Sequence, residues 1–445
     1  MLVKIKKLSA LFIVPGALIL SLGTVGCDLD AENPNSLVED DLTNPAVAGA
    51  LANGALNTLS LGTGYVLCPV SVASDEATWI GSRDAWGSLD KGQISDVYNE
   101  FVDFVWPYIT EGRWMCDRAV TGLEAFKSDG ILSNDILLAK AYLYAGAVRC
   151  VIADSFEDFV YSDKTVSGQP IGTGNMMQVY DEAMTLFKSG LAIAQSEGDT
   201  DLEAVFHGML ARAAFSKEVH SNIGNAGGVV TASMAASHAQ DALDIWDATS
   251  TWQLQYSSST VWNEFSWQIN GRSELEFGFD PGTQAGDDLP EDLIDTDLSV
   301  NVVDLQGNDM GPADPRLAAI ALDFFSNRGG TDYAPVTMVS GAEMYLILAE
   351  NAYASGNDDD ALTYLNMNRT GMTAYDGSNA SVADAIVHER RANLYAQGKR
   401  LLDMYRFGAT SVLWESQYDA LGSPGSLFPI TIQEIRANEF VLQPG

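Results

Sequence analysis

The sequence is poor in the residues that most often carry chemistry. Four cysteines and four histidines are spread through 445 residues. There is no Cys-x-x-Cys, and His207, His220, His238 and His388 stand far apart, so no zinc site is expected, and calcium is left open. No Gly-x-Ser-x-Gly, no His-Glu-x-x-His and no phosphate-binding glycine loop occurs, which removes the common hydrolase and nucleotide signatures; no cofactor is expected. Basic residues are scarce: 24 Lys and Arg stand against 60 Asp and Glu, for a formal charge of −36. A surface of that sign repels phosphate backbones, so nucleic acid is excluded as a partner. The acidity favours neutral or cationic ligands, and reads equally well as solvent adaptation. With so many acids, carboxylate pairs are unavoidable, and they carry no glycosidase signal. The chain is read as a binding protein and not as an enzyme. Beyond the first 26 residues, no stretch reads as long and apolar enough to span a bilayer.

What is present begins with an export signal. Lys4, Lys6 and Lys7 precede an apolar run, Leu8 to Leu22, interrupted by Pro15 and Gly16. Small residues and Cys27 follow. This is the layout of a secretory signal peptide over residues 1–26, and the segment around Cys27 resembles a bacterial lipobox, although Thr24 stands where Leu is usual. Cys27 is the expected lipid attachment site. Removal of residues 1–26 would take away three lysines and no acids, leaving a still more acidic mature chain. Cys68, Cys116 and Cys150 then remain, enough for at most one disulfide, with the pairing open.

Apolar residues make up 47% of the chain, ample for a large core, and much of their spacing is helical. Leu138, Ala141, Tyr142, Ala145 and Val148 share one face, as do Met176, Tyr180, Ala183, Met184, Phe187, Leu191 and Ala194. Phe206, Met209, Leu210 and Ala213 repeat the pattern, and a further helix is expected from about Thr231 to Trp246. In Ala342 to Asn368, Tyr345, Leu348, Ala349 and Ala352 form a face; Gly356 suits a left-handed helix end and Asn357 a helix start; Ala361 and Leu365 then face back. Tyr, Leu, Ala, then Gly, then Ala and Leu is the order of a tetratricopeptide repeat. Ser381, with Asp384 three residues on, opens another helix that runs past Arg391. Residues from about 250 to 340 differ. Trp252, Tyr256, Trp262, Phe265 and Trp267 cluster, Glu274 to Phe279 alternates like a strand, and Asp280 to Gly311 lacks periodicity. The expected architecture is a single all-α domain over 27–445. Tetratricopeptide-like helix pairs, at about 40–250 and 340–410, pack against an irregular, ligand-side insertion at about 250–340 with a few short strands.

A set of short motifs in fixed order carries a family resemblance. Asp30-Ala31-Glu32-Asn33-Pro34-Asn35 stands just after the lipobox, and Ser74-Asp75-Glu76 follows the first helix. Asp314-Pro315-Arg316-Leu317, Ala342-Glu343 through Ala349-Glu350, and Leu365-Asn366-Met367-Asn368-Arg369 come next. Glu389-Arg390-Arg391 through Gly398-Lys399-Arg400 leads to Asp403-Met404-Tyr405-Arg406-Phe407-Gly408, and Pro429-Ile430 with Glu434-Ile435 closes the series. Together they resemble the SusD/RagB family of nutrient-uptake lipoproteins, over nearly the whole length. Asn393 and Gln397 replace usual glutamates, and Asp154-Ser155-Phe156 stands where Phe-Gly-Asp is common. The resemblance implies an outer-membrane, cell-surface lipoprotein, anchored in the outer membrane by its lipid. The acidic stretch Asp28, Asp30 and Glu32 looks like a surface-export signal. It also implies a SusC-like TonB-dependent barrel as partner, over which the lipoprotein closes as a lid. The implied ligand is an oligosaccharide, sometimes a peptide. A helical-repeat scaffold that recruits proteins is the competing reading.

Sugar binding needs flat apolar faces and a few polar groups, which aromatic-rich loops supply. Trp79, Arg83, Asp84 and Trp86 form one candidate site. Tyr256 and Trp262 mark a second, in the segment Trp252 to Trp267. In both, the tryptophans serve equally well as packing residues. Glu389-Arg390-Arg391 reads as an ion-pair network, and Asp358-Asp359-Asp360 as a solvated helix start.

Overall fold

The structure, a computed structural model, describes residues 44–163, 165–223, 228–277, 301–303, 309–312, 316, 332–411 and 413–441. The signal peptide, Cys27, the motif from Asp30 to Asn35, and Asp314, Pro315 and Leu317 of the later motif lie outside them.

The architecture is all-α. Helices α1 (Ala48–Ala73), α2 (Asp84–Asp90), α3 (Glu100–Ser128), α4 (Ile136–Ser155), α5 (Met177–Glu197), α6 (Thr200–Ser221) and α7 (Ser233–Leu243) make the first block. After α8 (Glu264–Asn270) come α9 (Gly341–Ala354), α10 (Asp358–Met367), α11 (Val382–Asn393), α12 (Arg400–Phe407), α13 (Asp419–Gly422) and α14 (Ile432–Ala437). Sequential neighbours pack side by side: α1 on α3, α3 on α4, α4 on α5, α5 on α6, α6 on α7, and α9 on α10. Helix α9 also packs on α7, which joins the two helical blocks.

The helix ends are those that the local sequence requires. Asp199 accepts from Leu202 N (3.0 Å) at the start of α6, Ser340 from Glu343 N (3.1 Å) at α9, and Ser381 from Asp384 N (3.1 Å) at α11. Gly356 closes α9 at φ +80°, in the region that favours glycine. Between helices, small residues make notches for rings. A Cβ on Gly146 of α4 would lie 2.3 Å from the Phe187 ring of α5, and one on Gly190 of α5 would lie 2.1 Å from the Phe206 ring of α6.

Helices α1 and α4 correct one expectation. Both are long and apolar enough to cross a membrane by length and composition, but 78% of each apolar window is buried inside the protein. A helix surrounded by other helices is apolar on every side, as a membrane span is. The three described cysteines are buried free thiols, with no disulfide among them.

The strands are short and pair antiparallel: β1 (Ala77–Trp79) with β3 (Leu275–Phe277), β2 (Thr251–Leu254) with β6 (Val336–Ser340), and β4 (Asn301–Val303) with β5 (Asp309–Pro312). Trp79 pairs Leu275 across β1 and β3, so the loop after β1 and the segment around α8 meet.

The motif residues form a buried ionic framework. Asp75 accepts two bonds from Arg400 (2.8 and 2.9 Å), and Glu343 accepts from Lys399 (2.7 Å). Arg406 reaches Asp403 (2.8 Å) and Glu350, while Arg390 holds the other side of Asp403 (2.9 Å). Glu389, wholly buried, accepts from Arg316 (2.6 and 3.0 Å), Arg369 (2.7 Å), Tyr375 (3.1 Å) and Asn393 (2.9 Å). Burial pushes the Glu389 carboxyl up, but the guanidiniums of Arg316 and Arg369 hold it below its ordinary value. Asn393 is a donor here, and a glutamate in its place would set a second carboxylate against Glu389.

Candidate functional site

A cavity of about 360 Å³ opens where the loop after β1, the start of α3 and the segment around α8 converge. Its volume falls in the range of small-ligand sites. Trp262, Trp267, Phe104 and Tyr333 supply aromatic faces; Arg83, Arg272, Glu100, Glu264 and Asp332 supply charge. Trp262 and Phe104 are each 47% exposed, unusual for rings of that size. Large exposed apolar faces beside polar groups mark binding surfaces.

Each side chain is placed by identifiable contacts. Asn263 caps α8 by accepting from Phe265 N (3.0 Å), while its amide donates to Ala334 O (2.8 Å). That cap fixes Trp262 just outside the helix and Trp267 within it. Trp262 Nε1 donates to Glu264 (2.9 Å), and Gln268 donates to the other oxygen (2.7 Å). Burial pushes the Glu264 carboxyl up, and the bonds from Gln268, Trp262 and Tyr65 oppose that. The Arg272 guanidinium lies 5.2 Å over the Trp267 ring. Arg83 pairs with Glu100 and lies 4.7 Å over Phe101.

Glu274 holds the loop that carries Arg83. Its carboxylate accepts from Ser82 N (2.9 Å), Ser82 Oγ (3.0 Å) and Arg83 N (3.1 Å), and its carbonyl accepts from Ile80 N (3.0 Å). Burial would raise the Glu274 carboxyl, but the donors from Arg83 and Ser82 hold it below its ordinary value. A Cβ on Gly81 would lie 2.2 Å from that carboxylate, so the close approach requires glycine.

Of the residues singled out by sequence, Arg83 and Trp262 line the cavity together. Asp84 is exposed at the first turn of α2 and outside the lining. Trp86 is 2% exposed and stacks on Phe101 with ring centroids 3.5 Å apart. Trp79 is half-buried, with its ring over Gly87. Tyr256 is buried, its hydroxyl donating to Ser60 O (2.7 Å). Sequence reasoning did not single out Phe104, Trp267, Tyr333, Glu264 or Arg272 for this site. Only the crowding of aromatics near Trp267 offered a signal. Two of the three acids of the cavity are engaged, Glu100 by Arg83 and Glu264 by Trp262 and Gln268.

Comparison with known proteins fits this picture. Residues 329–437 match the model of the SusD family. No curated protein matches the chain. Among solved structures, a SusD superfamily protein from Bacteroides thetaiotaomicron VPI-5482 is similar at TM-score 0.60 and 15% identity, covering 89% of this chain and 97% of that one. One from Parabacteroides distasonis ATCC 8503 is similar at TM-score 0.60 and 14% identity, covering 92% and 99%. Surface glycan-binding protein A from Bacteroides thetaiotaomicron, in complex with laminarihexaose, is similar at TM-score 0.55 and 13% identity, covering 89% and 98%.

Proposed function

Since the chain belongs to the SusD/RagB family, we propose that it binds an oligosaccharide in the aromatic cavity and hands it on chemically unchanged. The observation that carries this reading is the pairing of exposed rings, Trp262 and Phe104, with charged groups whose signs nearly balance. Sugar rings offer C–H faces to aromatic rings and hydroxyls to carboxylates and guanidiniums. A near-balanced cavity in a strongly acidic chain favours a neutral polar ligand over an anion. The glycan-bound relative supports the same ligand class.

In this reading, Cys27 carries the lipid, and the protein stands on the outer face of the outer membrane as the lid of a SusC-like TonB-dependent barrel. The lid captures and the barrel transports. The acids of the cavity orient hydroxyls and do not cleave.

A glycan array probed with the mature chain tests the ligand class. The expected result is saturable binding to a set of related neutral oligosaccharides, with no release of reducing ends. Binding confined to peptides, or binding to proteins alone, would overturn it. Mass spectrometry of an acylated Cys27 peptide, and co-purification with a large β-barrel, test the anchor and the partner.

A further inference from the structure

Side chains from two stretches distant in sequence meet between α6 and α7. His207 projects from α6; His238 and Asp241, three residues apart, lie on the side of α7 that faces it. The two imidazole Nδ1 atoms are 3.1 Å apart, and Asp241 Oδ2 lies 3.5 Å from that of His207 and 3.7 Å from that of His238. The point equidistant from three atoms at these separations lies about 2.0 Å from each, which is the bond length zinc makes to imidazole nitrogen and carboxylate oxygen. We propose that this cluster is a zinc-binding site that clips α6 to α7.

The surroundings fit an ion. The ring centroids are 5.3 Å apart, and the two Nδ1 atoms lie within hydrogen-bond distance of each other. Zinc takes both Nδ1 lone pairs once each ring turns toward the common point, and each neutral ring then carries its proton on Nε2. On the far side of His207, Nε2 lies 4.0 Å from Glu203. A carboxylate there favours the proton on Nε2 and leaves Nδ1 as the ligand atom. The His207 side chain is 11% exposed and that of Asp241 is 46% exposed, so the site has a buried wall and an open entry. Two nitrogens and an oxygen suit a borderline divalent ion such as Zn²⁺, with water in the fourth position. None of the three residues lines the aromatic cavity, so the site does not depend on the glycan reading. The thiols of Cys68, Cys116 and Cys150 are buried elsewhere and take no part.

The test uses the untagged mature chain, stripped with a chelator and titrated with Zn²⁺ by calorimetry in a buffer that does not bind metal. The expected result is one saturable site and a higher melting temperature with zinc. His238→Ala and Asp241→Asn, both at partly exposed positions, should each weaken binding by about tenfold or more. Co²⁺ should give the intense visible absorption of a four-coordinate site, without a thiolate band. Circular dichroism of each variant separates lost metal from lost fold, and His207→Gln provides a third variant. No saturable Zn²⁺ uptake, an affinity unchanged in both folded α7 variants, or a six-coordinate Co²⁺ spectrum would overturn the proposal.

Discussion

Replacing Glu389 by Gln tests whether the motif residues hold the fold together. The carboxylate is wholly buried and accepts from Arg316, Arg369, Tyr375 and Asn393. Gln keeps the shape and removes the charge. Arg369, equally buried, then loses the charge of this carboxylate, while its bond to Thr373 O at 2.7 Å stays in place. Removing one partner of a buried ion pair costs about 3–5 kcal/mol, because the other charge stays desolvated. Roughly 400 folded residues at about 2.1 cal/mol/K each give an unfolding entropy near 0.8 kcal/mol/K. The melting temperature should therefore fall by about 4–6 °C, read by differential scanning calorimetry at pH 7. The double variant Arg369→Met/Glu389→Leu should cost less than the sum of the two single changes by about 1 kcal/mol or more. A fall under about 1 °C, or strict additivity, would refute the reasoning.

Other perturbations have equally definite outcomes. Burial pushes the Glu76 carboxyl from its ordinary 4.5 up to about 8, opposed by the Ala396 N–H and helped by Asp75. The protonated form is favoured in the folded state, so that stability is complete below about pH 4.5 and is lost as pH rises through about 8. Glu76→Gln should reduce the fall in melting temperature between those pH values; an unchanged slope would count against it. Gly190→Ala forces a methyl into the Phe206 ring and should cost about 1–3 kcal/mol, measured by thermal unfolding. Trp86→Ala, inside the core, should cost about 3–5 kcal/mol of stability, whereas Trp262→Ala should leave the melting temperature nearly unchanged. In a binding assay, Trp262→Ala should weaken the glycan about 30-fold, the effect of losing roughly 2 kcal/mol.

The fold was legible where burial is one-sided. Tyr180, Phe187 and Ala194 of α5 repeat at helical spacing and lie in the core, whereas α6 is buried nearly all round and shows the spacing only at Phe206, Met209 and Ala213. The pattern is silent for α1, which is apolar all round, and Pro107 obscures α3 by reading as a breaker. The charged motifs were legible as a pattern, but their pairing was not: Asp75 meets Arg400, and Glu343 meets Lys399, through contacts far apart in sequence. The cavity was half legible for the same reason. Trp79 and Trp86 look like a ligand platform in sequence, yet the fold turns Trp86 onto Phe101 and sets Arg83 against Glu100 across the cavity wall. His207 and His238 seem scattered until α6 and α7 bring their rings together.

A crystal structure with an oligosaccharide chosen from the array tests the central claim most directly. The account predicts a sugar ring against Trp262, with its hydroxyls on Glu264, Arg83 or Asp332. Well-defined sugar density on another face, with the aromatic cavity left to solvent, would contradict it.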